Sequence, residues 1–174
     1  MKLSDYLFKP QKATKEGVEK TDVKLYLKDA LRYVEKPSDV RVREPDFKAD
    51  LPNVLGNKYL VEVFVELIVN AFDALTSSEM QEKELDISIN QNDNHVEVKF
   101  EDNGPGLPPN SEKVIFELFS SMSEKKLSQD GHHGFGLWWV NTFLKDIGGK
   151  LRYEGAPGKG AIFIVELPLA EEQV

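Results

Sequence analysis

Residues 101–107, Glu-Asp-Asn-Gly-Pro-Gly-Leu, combine the residue types that can bind a flat ring carrying an amino group. They follow an alternation of apolar residues that predicts a strand with one buried face. The carboxylate of Asp102, at the end of that strand, can accept a hydrogen bond from an exocyclic amino group. Gly104 and Gly106 can let the backbone approach a ring closely and then turn away as a movable flap. Asp-Asn-Gly is also an ordinary turn signal, and that alternative stays open for the segment alone.

A second set of polar residues lies upstream at helical spacing. One stripe of a predicted helix carries Glu62, Glu66, Asn70 and Asp73. The rest of the helix surface is apolar, so the stripe borders a buried layer. An amide oxygen and a carboxylate one turn apart suit Mg²⁺, which prefers oxygen ligands and keeps several waters. A solvated helix face is the alternative that the pattern leaves open.

A third set consists of glycines that precede another predicted helix, at Gly131, Gly134 and Gly136. Glycines at a helix N-terminus expose backbone N–H groups to an anion, and the helix dipole favours negative charge there. This arrangement suits a triphosphate. The segment is not a Walker A loop, because it lacks Gly-Lys-Ser/Thr, and it is not a dinucleotide-binding fingerprint after a strand. A flexible loop that enters a helix is the alternative.

Four segments in this order resemble the N, G1, F and G2 boxes of the GHKL ATP-binding superfamily. The superfamily includes gyrase, the large heat-shock chaperone, histidine kinases and the mismatch-repair MutL proteins. The segments are residues 66–75, 101–107, 115–119 and 131–137. The third segment and the spacing look most like the catalytic ATP-binding domain of a bacterial sensor histidine kinase. The resemblance implies binding of Mg²⁺ and ATP and transfer of the γ-phosphoryl group to a histidine.

The resemblance assigns a role to each polar residue of the first two boxes. Asn70 would hold the Mg²⁺ that bridges the phosphates. Glu66 lies where gyrase-like ATPases and a minority of histidine kinases have a glutamate that acts as a general base. Asp73 lies where other kinases have lysine or aspartate and would contact the nucleotide. Asp102 would accept from the adenine amino group and so discriminate against guanine, which has an oxygen at the corresponding position.

The resemblance also implies a lid over the nucleotide, which Gly104 and Gly106 would open. Lys125 and Lys126 can reach the γ-phosphate from this lid, and a solvated charge run is the equal alternative. The residues implied to contact the phosphates at the second glycine box are His133, Gly134, Phe135, Gly136 and Leu137.

The glycine boxes depart from the usual kinase pattern at several positions. The usual second box is Gly-Thr-Gly-Leu-Gly-Leu, but here His132 replaces its first glycine, His133 its threonine and Phe135 its leucine. Residues 158–160, Gly-Lys-Gly, are similar to the last glycine box of the family, and Ala161 replaces a threonine often found after it. These departures put the fine geometry of phosphate and base contacts in doubt.

A frame of helices and strands must position these residues. Apolar periodicity predicts helices over residues 21–35, 58–76 and 136–147 and strands over residues 39–47, 85–89, 96–100, 150–153 and 161–167. Residues 51–57 are predicted to form a loop, with Asn57 capping the next helix. The elements predict a two-layer α/β sandwich, in which three helices cover one face of a mixed, mostly antiparallel sheet of about five strands. The resemblance implies the same architecture, the Bergerat or GHKL fold.

Composition narrows the classes of partner. The 174 residues predict one domain with one sizeable core. The formal net charge of −8, from 30 acidic and 22 basic residues, disfavours nucleic acid as the main partner. The absence of cysteine excludes disulfides and cysteine zinc sites. No apolar run is long enough to span a membrane, so we expect a cytoplasmic segment without membrane contact.

The sequence also predicts how the chain is divided and which partners it needs. Residues 1–20 are expected to be a linker left after a removed dimerisation and phosphoacceptor hairpin, residues 21–170 the catalytic domain and residues 171–174 a tail. No histidine precedes His95, so we expect the acceptor histidine on a helical hairpin elsewhere in the native chain or on another chain, with a response regulator as the further partner. Two other functions stay open: a stand-alone GHKL ATPase, favoured by Glu66, and a nucleotide-binding pseudoenzyme, favoured by the altered glycine box.

Overall fold

The fold is given by a computed structural model that describes residues 17–109, 111, 115–116 and 136–170. Three helices lie within these residues: α1 (Val23–Tyr33), α2 (Leu60–Thr76) and α3 (Gly136–Asp146). The strands of the same residues are β1 (Glu19–Thr21), β2 (Val40–Arg43), β3 (Val54–Gly56), β4 (Lys83–Asn92), β5 (His95–Asp102), β6 (Lys150–Gly155) and β7 (Ala161–Pro168).

Five strands form the main sheet in the order β2-β4-β5-β7-β6. The β2–β4 pair is parallel, and the other three pairs are antiparallel. β4 with β5 and β6 with β7 form the two predicted hairpins. At the end of β5, the register places Asp102 opposite Leu85 of β4 on one side and Ala161 of β7 on the other. Asp102 therefore lies in a central strand, where both neighbours restrain it.

The helices cover one face of this sheet. Alternate residues of β5 are buried, ending with Phe100 and Asp102. The Phe100 ring packs against Phe64 of α2, with 5.9 Å between the ring centroids. The apolar stripe that α2 buries consists of Leu60, Val63, Phe64, Leu67, Ile68, Ala71, Phe72 and Leu75. α1 and α3 both pack against α2. The predicted two-layer α/β sandwich with a mixed, mostly antiparallel five-stranded sheet is confirmed.

A small second sheet was not predicted. β1 pairs antiparallel with β3, so the prediction of a loop over residues 51–57 is wrong at Val54–Gly56. A strand of three residues that includes a glycine carries almost no periodic signal. Gly56 is needed here for packing, because a Cβ at this position would overlap the Leu60 side chain at the start of α2. The short strand thus connects β1 to the helix that carries the polar stripe.

A side chain caps α1, whereas the predicted cap of α2 by Asn57 is wrong, because the N-cap of α2 is Tyr59 and no side chain caps it. Asp22 Oδ1 accepts a hydrogen bond from the backbone of Lys24 at 2.9 Å, just before α1. Asn57 Oδ1 accepts from Tyr59 N at 3.0 Å, in the turn that leads into α2. The predicted strand over residues 39–47 is shorter than expected and ends at Arg43. In the part of the chain that the structure describes, none of the helices has both the length and the apolar character needed to cross a membrane.

Candidate functional site

Asp102 ends β5 with its carboxylate on the buried side of the sheet, and only 4% of the residue is exposed. Its Oδ1 accepts a hydrogen bond from Gly104 N at 2.9 Å. Burial raises the pKa of the Asp102 carboxyl above its ordinary value, while hydrogen bonds from the backbone N–H groups of Gly104 and Ala161 act in the opposite direction. A carboxylate has about four acceptor positions. Two backbone donors therefore leave capacity for an amino group of a ligand.

The first glycine loop, residues 103–107, is packed between α2 and the hairpin of β6 and β7. A Cβ on Gly104 would be 3.6 Å from Leu75 Cδ2 at the end of α2. Gly106 has a φ of 67°, and a Cβ there would be 2.8 Å from the carbonyl oxygen of Gly160. Both the left-handed backbone and the close approach exclude a side chain at Gly106. The loop that directly follows Asp102 is therefore closely packed on both sides.

Glu66 and Asn70 form a contact pair on α2. Asn70 Nδ2 donates to Glu66 Oε1 at 3.4 Å. Burial raises the pKa of the Glu66 carboxyl; the hydrogen bond from Asn70 opposes this increase, and the negative charge of Asp73 adds to it. A carboxylate with a raised pKa can act as a general base nearer neutral pH than an exposed one.

Gly136, the first residue of α3, lies against the Glu66 carboxylate. A Cβ on Gly136 would overlap this group: the more distant oxygen, Oε2, would be 2.9 Å away, and Oε1 and Cδ would be closer. Only a residue without a side chain allows this approach. The structure therefore brings together two sequence-predicted site residues from different boxes. Leu137, the next predicted residue, is half-buried and packs against the core.

The other members of the polar stripe lie at its two ends. Asp73 is exposed near the C-terminal end of α2. Glu62 is half-buried one turn before Glu66; burial raises the pKa of its carboxyl, and the positive charge of Lys58 opposes the increase. The carboxylates of this helix face are therefore half-buried at Glu62 and Glu66 and exposed at Asp73.

α2 connects the two halves of the site. Its middle carries Glu66 and Asn70 against the start of α3, and its C-terminal end carries Leu75 against the first glycine loop. The nine residue steps from Glu66 to Leu75 correspond to about 13.5 Å of helix rise. One rigid element thus connects the loop that follows Asp102 with the Glu66–Asn70 pair, over a distance that suits an extended nucleoside triphosphate.

Part of the predicted site lies outside the described residues. These positions are Lys125, Lys126, His133, Gly134 and Phe135. Their assignments to the phosphates and to the lid stay predictions.

Sequence reasoning missed two residues that hold the first glycine loop. Asn103 Oδ1 accepts from the backbone N–H of Glu84 at 2.8 Å, and its Nδ2 donates to the carbonyl of Glu82 at 3.0 Å. The Tyr153 hydroxyl accepts from Leu107 N at 3.4 Å. An asparagine directly after a strand end indicates a turn, but its partners on another strand have no signal in the sequence. Nothing in the pattern around Tyr153 indicates its contact.

A charged cluster lies on the opposite, open face of the sheet. The Arg152 guanidinium donates to Glu97 at 2.9 Å, to Glu154 at 2.7 Å and to Glu166. His95 Nε2 is 3.2 Å from Glu97 Oε1. The ligand atoms of His95, Glu97 and Glu166 lie within 4.8 Å of one another. Because the Arg152 guanidinium already forms ion pairs with Glu97 and Glu166, we assign the group as an ion-pair network that joins β5, β6 and β7.

Comparisons with known proteins agree with this geometry. The family model described as "Histidine kinase-, DNA gyrase B-, and HSP90-like ATPase" matches residues 56–171, which is more than half of the chain. The sensor protein CitS of Halalkalibacterium halodurans is 36% identical over 112 residues, which cover 64% of this chain and 20% of that protein. The sensor histidine kinase CitA of Klebsiella pneumoniae is 27% identical over 123 residues, which cover 71% of this chain and 22% of that protein.

Solved structures share the fold. The mycobacterial sensor histidine kinase MprB has a TM-score of 0.67 at 23% identity, covering 87% of this chain and 97% of that one. Full-length ShkA in complex with AMPPNP has a TM-score of 0.71 at 21% identity, covering 91% of this chain and 32% of that one.

The chain spans about a fifth of the length of the curated relatives described above. The family match confirms the predicted ATP-binding catalytic domain of the histidine kinase type and its GHKL fold. The chain belongs to the histidine kinase-, DNA gyrase B- and HSP90-like ATPase family.

Proposed function

We propose that this chain is the part of a sensor histidine kinase that binds Mg²⁺ and ATP and transfers the γ-phosphoryl group to a histidine on a helical hairpin. The observation that carries the proposal is the arrangement along α2: the Glu66–Asn70 pair lies in its middle, and Leu75 at its C-terminal end packs against the loop that follows Asp102. The names of the relatives, a sensor protein and a sensor histidine kinase, support the same reaction.

Asp102 is the acceptor for the adenine amino group at one end of the site. Its burial excludes competing water, and its position at the end of a central strand fixes the direction of the carboxylate. Guanine presents an oxygen at the corresponding ring position. That oxygen and the carboxylate oxygen of Asp102 facing it are both acceptors, so no hydrogen bond can form between them. The arrangement therefore favours ATP over GTP.

Asn70 is the residue that fits Mg²⁺ at the other end. Its amide nitrogen donates to Glu66, so the remaining polar atom of the side chain is the oxygen, which is the ligand type that Mg²⁺ prefers. When bound, the ion neutralises charge on the phosphates. In this position the chain needs no further carboxylate ligand, because Mg²⁺ keeps several waters and takes the remaining ligands from the nucleotide.

Glu66 is the general base of the proposed reaction. Burial raises its pKa and makes it a stronger base than an exposed carboxylate, and it lies beside Gly136 at the start of α3. The remaining nucleotide contacts that we propose are those of Asp73, the two glycine loops and the lid lysines Lys125 and Lys126. Transfer then depends mainly on positioning and charge stabilisation.

The proposed partners are a phosphoacceptor hairpin, in the same native chain or in trans, and a response regulator that receives the phosphoryl group. Such signalling takes place in the cytoplasm, where ATP is available. We assign residues 21–170 to the catalytic domain, and Glu19 and Lys20, at the end of the proposed linker, pair with β3 of that domain. Residues 1–20 before it would serve as the linker and residues 171–174 as a tail.

A stand-alone ATPase is the second candidate, and the half-buried Glu66, whose pKa is raised, is the observation that favours it. A general base beside the phosphates can activate water as readily as it can orient a histidine. The two functions differ in the final acceptor and not in nucleotide binding.

Incubation with γ-labelled ATP and Mg²⁺, with and without a helical-hairpin fragment that carries the acceptor histidine, separates them. We expect slow hydrolysis by the chain alone, and an acid-labile, alkali-stable label on the fragment when it is present. Transfer should be weak, because no tether raises the local concentration of the acceptor. Rapid hydrolysis without any label on the fragment would support the ATPase, and binding of ATP with neither hydrolysis nor transfer would support a nucleotide-binding pseudoenzyme. Glu66→Gln is the matched control and should abolish the label while nucleotide still binds.

A further inference from the structure

Asn103 extends the pairing of β4 and β5 beyond the last backbone pair, Leu85 with Asp102. Asn103 N donates to the carbonyl of Glu84 at 3.2 Å, as in an ordinary ladder. The return bond comes from Glu84 N to the side-chain Oδ1 of Asn103, at 2.8 Å. Its Nδ2 donates to the carbonyl of Glu82, at 3.0 Å. One asparagine therefore makes three hydrogen bonds to the strand end of β4.

The side chain of Asn103 replaces a peptide group. A primary amide carries the same donor and acceptor as the backbone. Because the side chain continues the ladder, the backbone is free to turn into Gly104 without leaving the groups of β4 unpaired. Asp102 can thus keep strand geometry up to the residue where the chain changes direction.

The other side of the same two residues is equally confined. A Cβ on Gly160 would be 3.1 Å from the Cα of Asn103 and would overlap the carbonyl oxygen of Asp102. The Asp102 carboxylate also accepts from Gly104 N. With β7 on one side and the Asn103 side chain bonded to the start of β4 on the other, the backbone that carries the Asp102 carboxylate is held from both sides.

We propose that Asn103 is a positioning residue for nucleotide selectivity, which aims the Asp102 carboxylate at the adenine amino group. The inference rests on the proposed function, because adenine recognition by Asp102 belongs to it. Without the amide, Glu84 N and the Glu82 carbonyl lose their partners, and the turn after Asp102 can shift. A hydrogen bond weakens steeply with misalignment, so the hydrogen bond between the Asp102 carboxylate and the adenine amino group becomes weaker.

Asn103→Ala would lower stability even if Asn103 had only a structural role, so a measurement of stability alone does not test the inference. The distinguishing property is dependence on Asp102. Suppose that Asn103 acts through the Asp102 carboxylate. Once Asp102 can no longer accept from adenine, replacing Asn103 should then have no effect on the selectivity between ATP and GTP.

The experiment is a double-mutant cycle of Asn103→Ala and Asp102→Asn. Dissociation constants for ATP and GTP with Mg²⁺ are measured by calorimetry at a temperature where circular dichroism shows all variants folded. We expect Asn103→Ala to weaken ATP binding about tenfold, the loss of roughly one hydrogen bond, while GTP binding is unchanged. In the Asp102→Asn background, Asn103→Ala should have no further effect on the ATP-to-GTP ratio. Asn90→Ala, at an exposed position of β4, is the control of the same type and should change neither constant.

Equal losses of ATP and GTP affinity, or an undiminished effect in the Asp102→Asn background, would overturn the inference and leave the proposed function intact. An unchanged ATP affinity of Asp102→Asn itself would remove the adenine contact from the proposed function, and the inference with it. Should Asn103→Ala fail to fold, Asn103→Ser, whose hydroxyl can accept from Glu84 N, supports the same cycle.

Discussion

Gly136 should tolerate no side chain, for a reason that lies in tertiary packing. Its φ is outside the left-handed region, so alanine can adopt its backbone conformation. The space for a Cβ, however, is already filled by the carboxylate of Glu66. Gly136→Ala therefore tests whether the contact between α2 and the start of α3 exists as described.

The structure sets the size of the effect. Carbon–oxygen contacts begin near about 3.3 Å. The nearer oxygen of Glu66 would therefore have to move by more than about 1 Å, a displacement that can lower turnover about 100-fold. Because the overlapping atoms are the end of a flexible side chain, the cost in unfolding free energy should lie at the low end for overpacking, at about 1 kcal/mol or less. In a Glu66→Ala background the overlap is gone, and alanine in a helix is preferred over glycine by up to about 1 kcal/mol. We therefore expect Gly136→Ala to destabilise the wild type and to be neutral or stabilising beside Glu66→Ala.

Urea unfolding of the four proteins without nucleotide measures the free energies of this cycle. The measurement does not depend on any assignment of function, and turnover of Gly136→Ala is then measured separately. An equal cost of Gly136→Ala in both backgrounds would refute the contact with Glu66. Full stability and full turnover of Gly136→Ala alone would refute it as well.

Three further expectations concern Asp102, Asn70 and Glu66. Asp102→Asn exchanges an acceptor oxygen for a donor and should weaken ATP binding by about 1–3 kcal/mol, as measured by calorimetry; unchanged affinity would contradict the adenine contact. Asn70→Ala should lose Mg²⁺-dependent affinity, whereas Glu66→Gln should keep binding and lose turnover; equal loss of binding by both would show that the helix face is structural. Because burial raises the pKa of Glu66, the folded state binds an extra proton between the ordinary and the raised value, and stability falls as pH rises through that window. Glu66→Gln should therefore gain stability over the wild type in urea unfolding at about pH 8 and lose this advantage at about pH 4, and a pH-independent difference would contradict the shift.

One more expectation concerns the open face of the sheet. Burial acts to raise the pKa of Glu97, but hydrogen bonds from the imidazole and guanidinium beside it hold the pKa below its ordinary value. The stability from this group is present above the ordinary carboxyl pKa and is lost as pH falls through the lowered value. Arg152→Met should cost about 1 kcal/mol in urea unfolding near neutral pH, a discounted figure for a partly exposed network, and less in acid. An equal cost at both pH values would show that packing of the side chain dominates.

The features that could be predicted from the sequence are those with a local signal. The stripe on α2 follows from helical spacing, and the hairpins follow from alternation and turn residues. Glu66 and Asn70 lie one turn apart in any helix, so their contact needed no tertiary information. Asp102 after an alternating strand indicated the directed carboxylate that the structure places at the end of β5.

The features that could not be predicted depend on partners distant in the sequence. β3 has three residues and owes its existence to β1, more than thirty positions upstream along the chain. The contact between Gly136 and Glu66 spans two helices, and nothing near Gly136 specifies it. Asn103 gives the same turn signal whether or not a strand end lies beside it, so its hydrogen bonds to β4 became visible only in the fold.

The most direct test is a crystal structure of the chain with Mg²⁺ and a non-hydrolysable ATP analogue. We expect the adenine amino group within hydrogen-bond distance of the Asp102 carboxylate, and the amide oxygen of Asn70 among the ligands of the metal. The base should lie beside the C-terminal end of α2, near Leu75, and the metal nearer the middle of the helix, at Asn70. A nucleotide whose base lies away from Asp102, or a metal held without Asn70, would contradict the central claim that α2 holds both ends of the bound nucleotide.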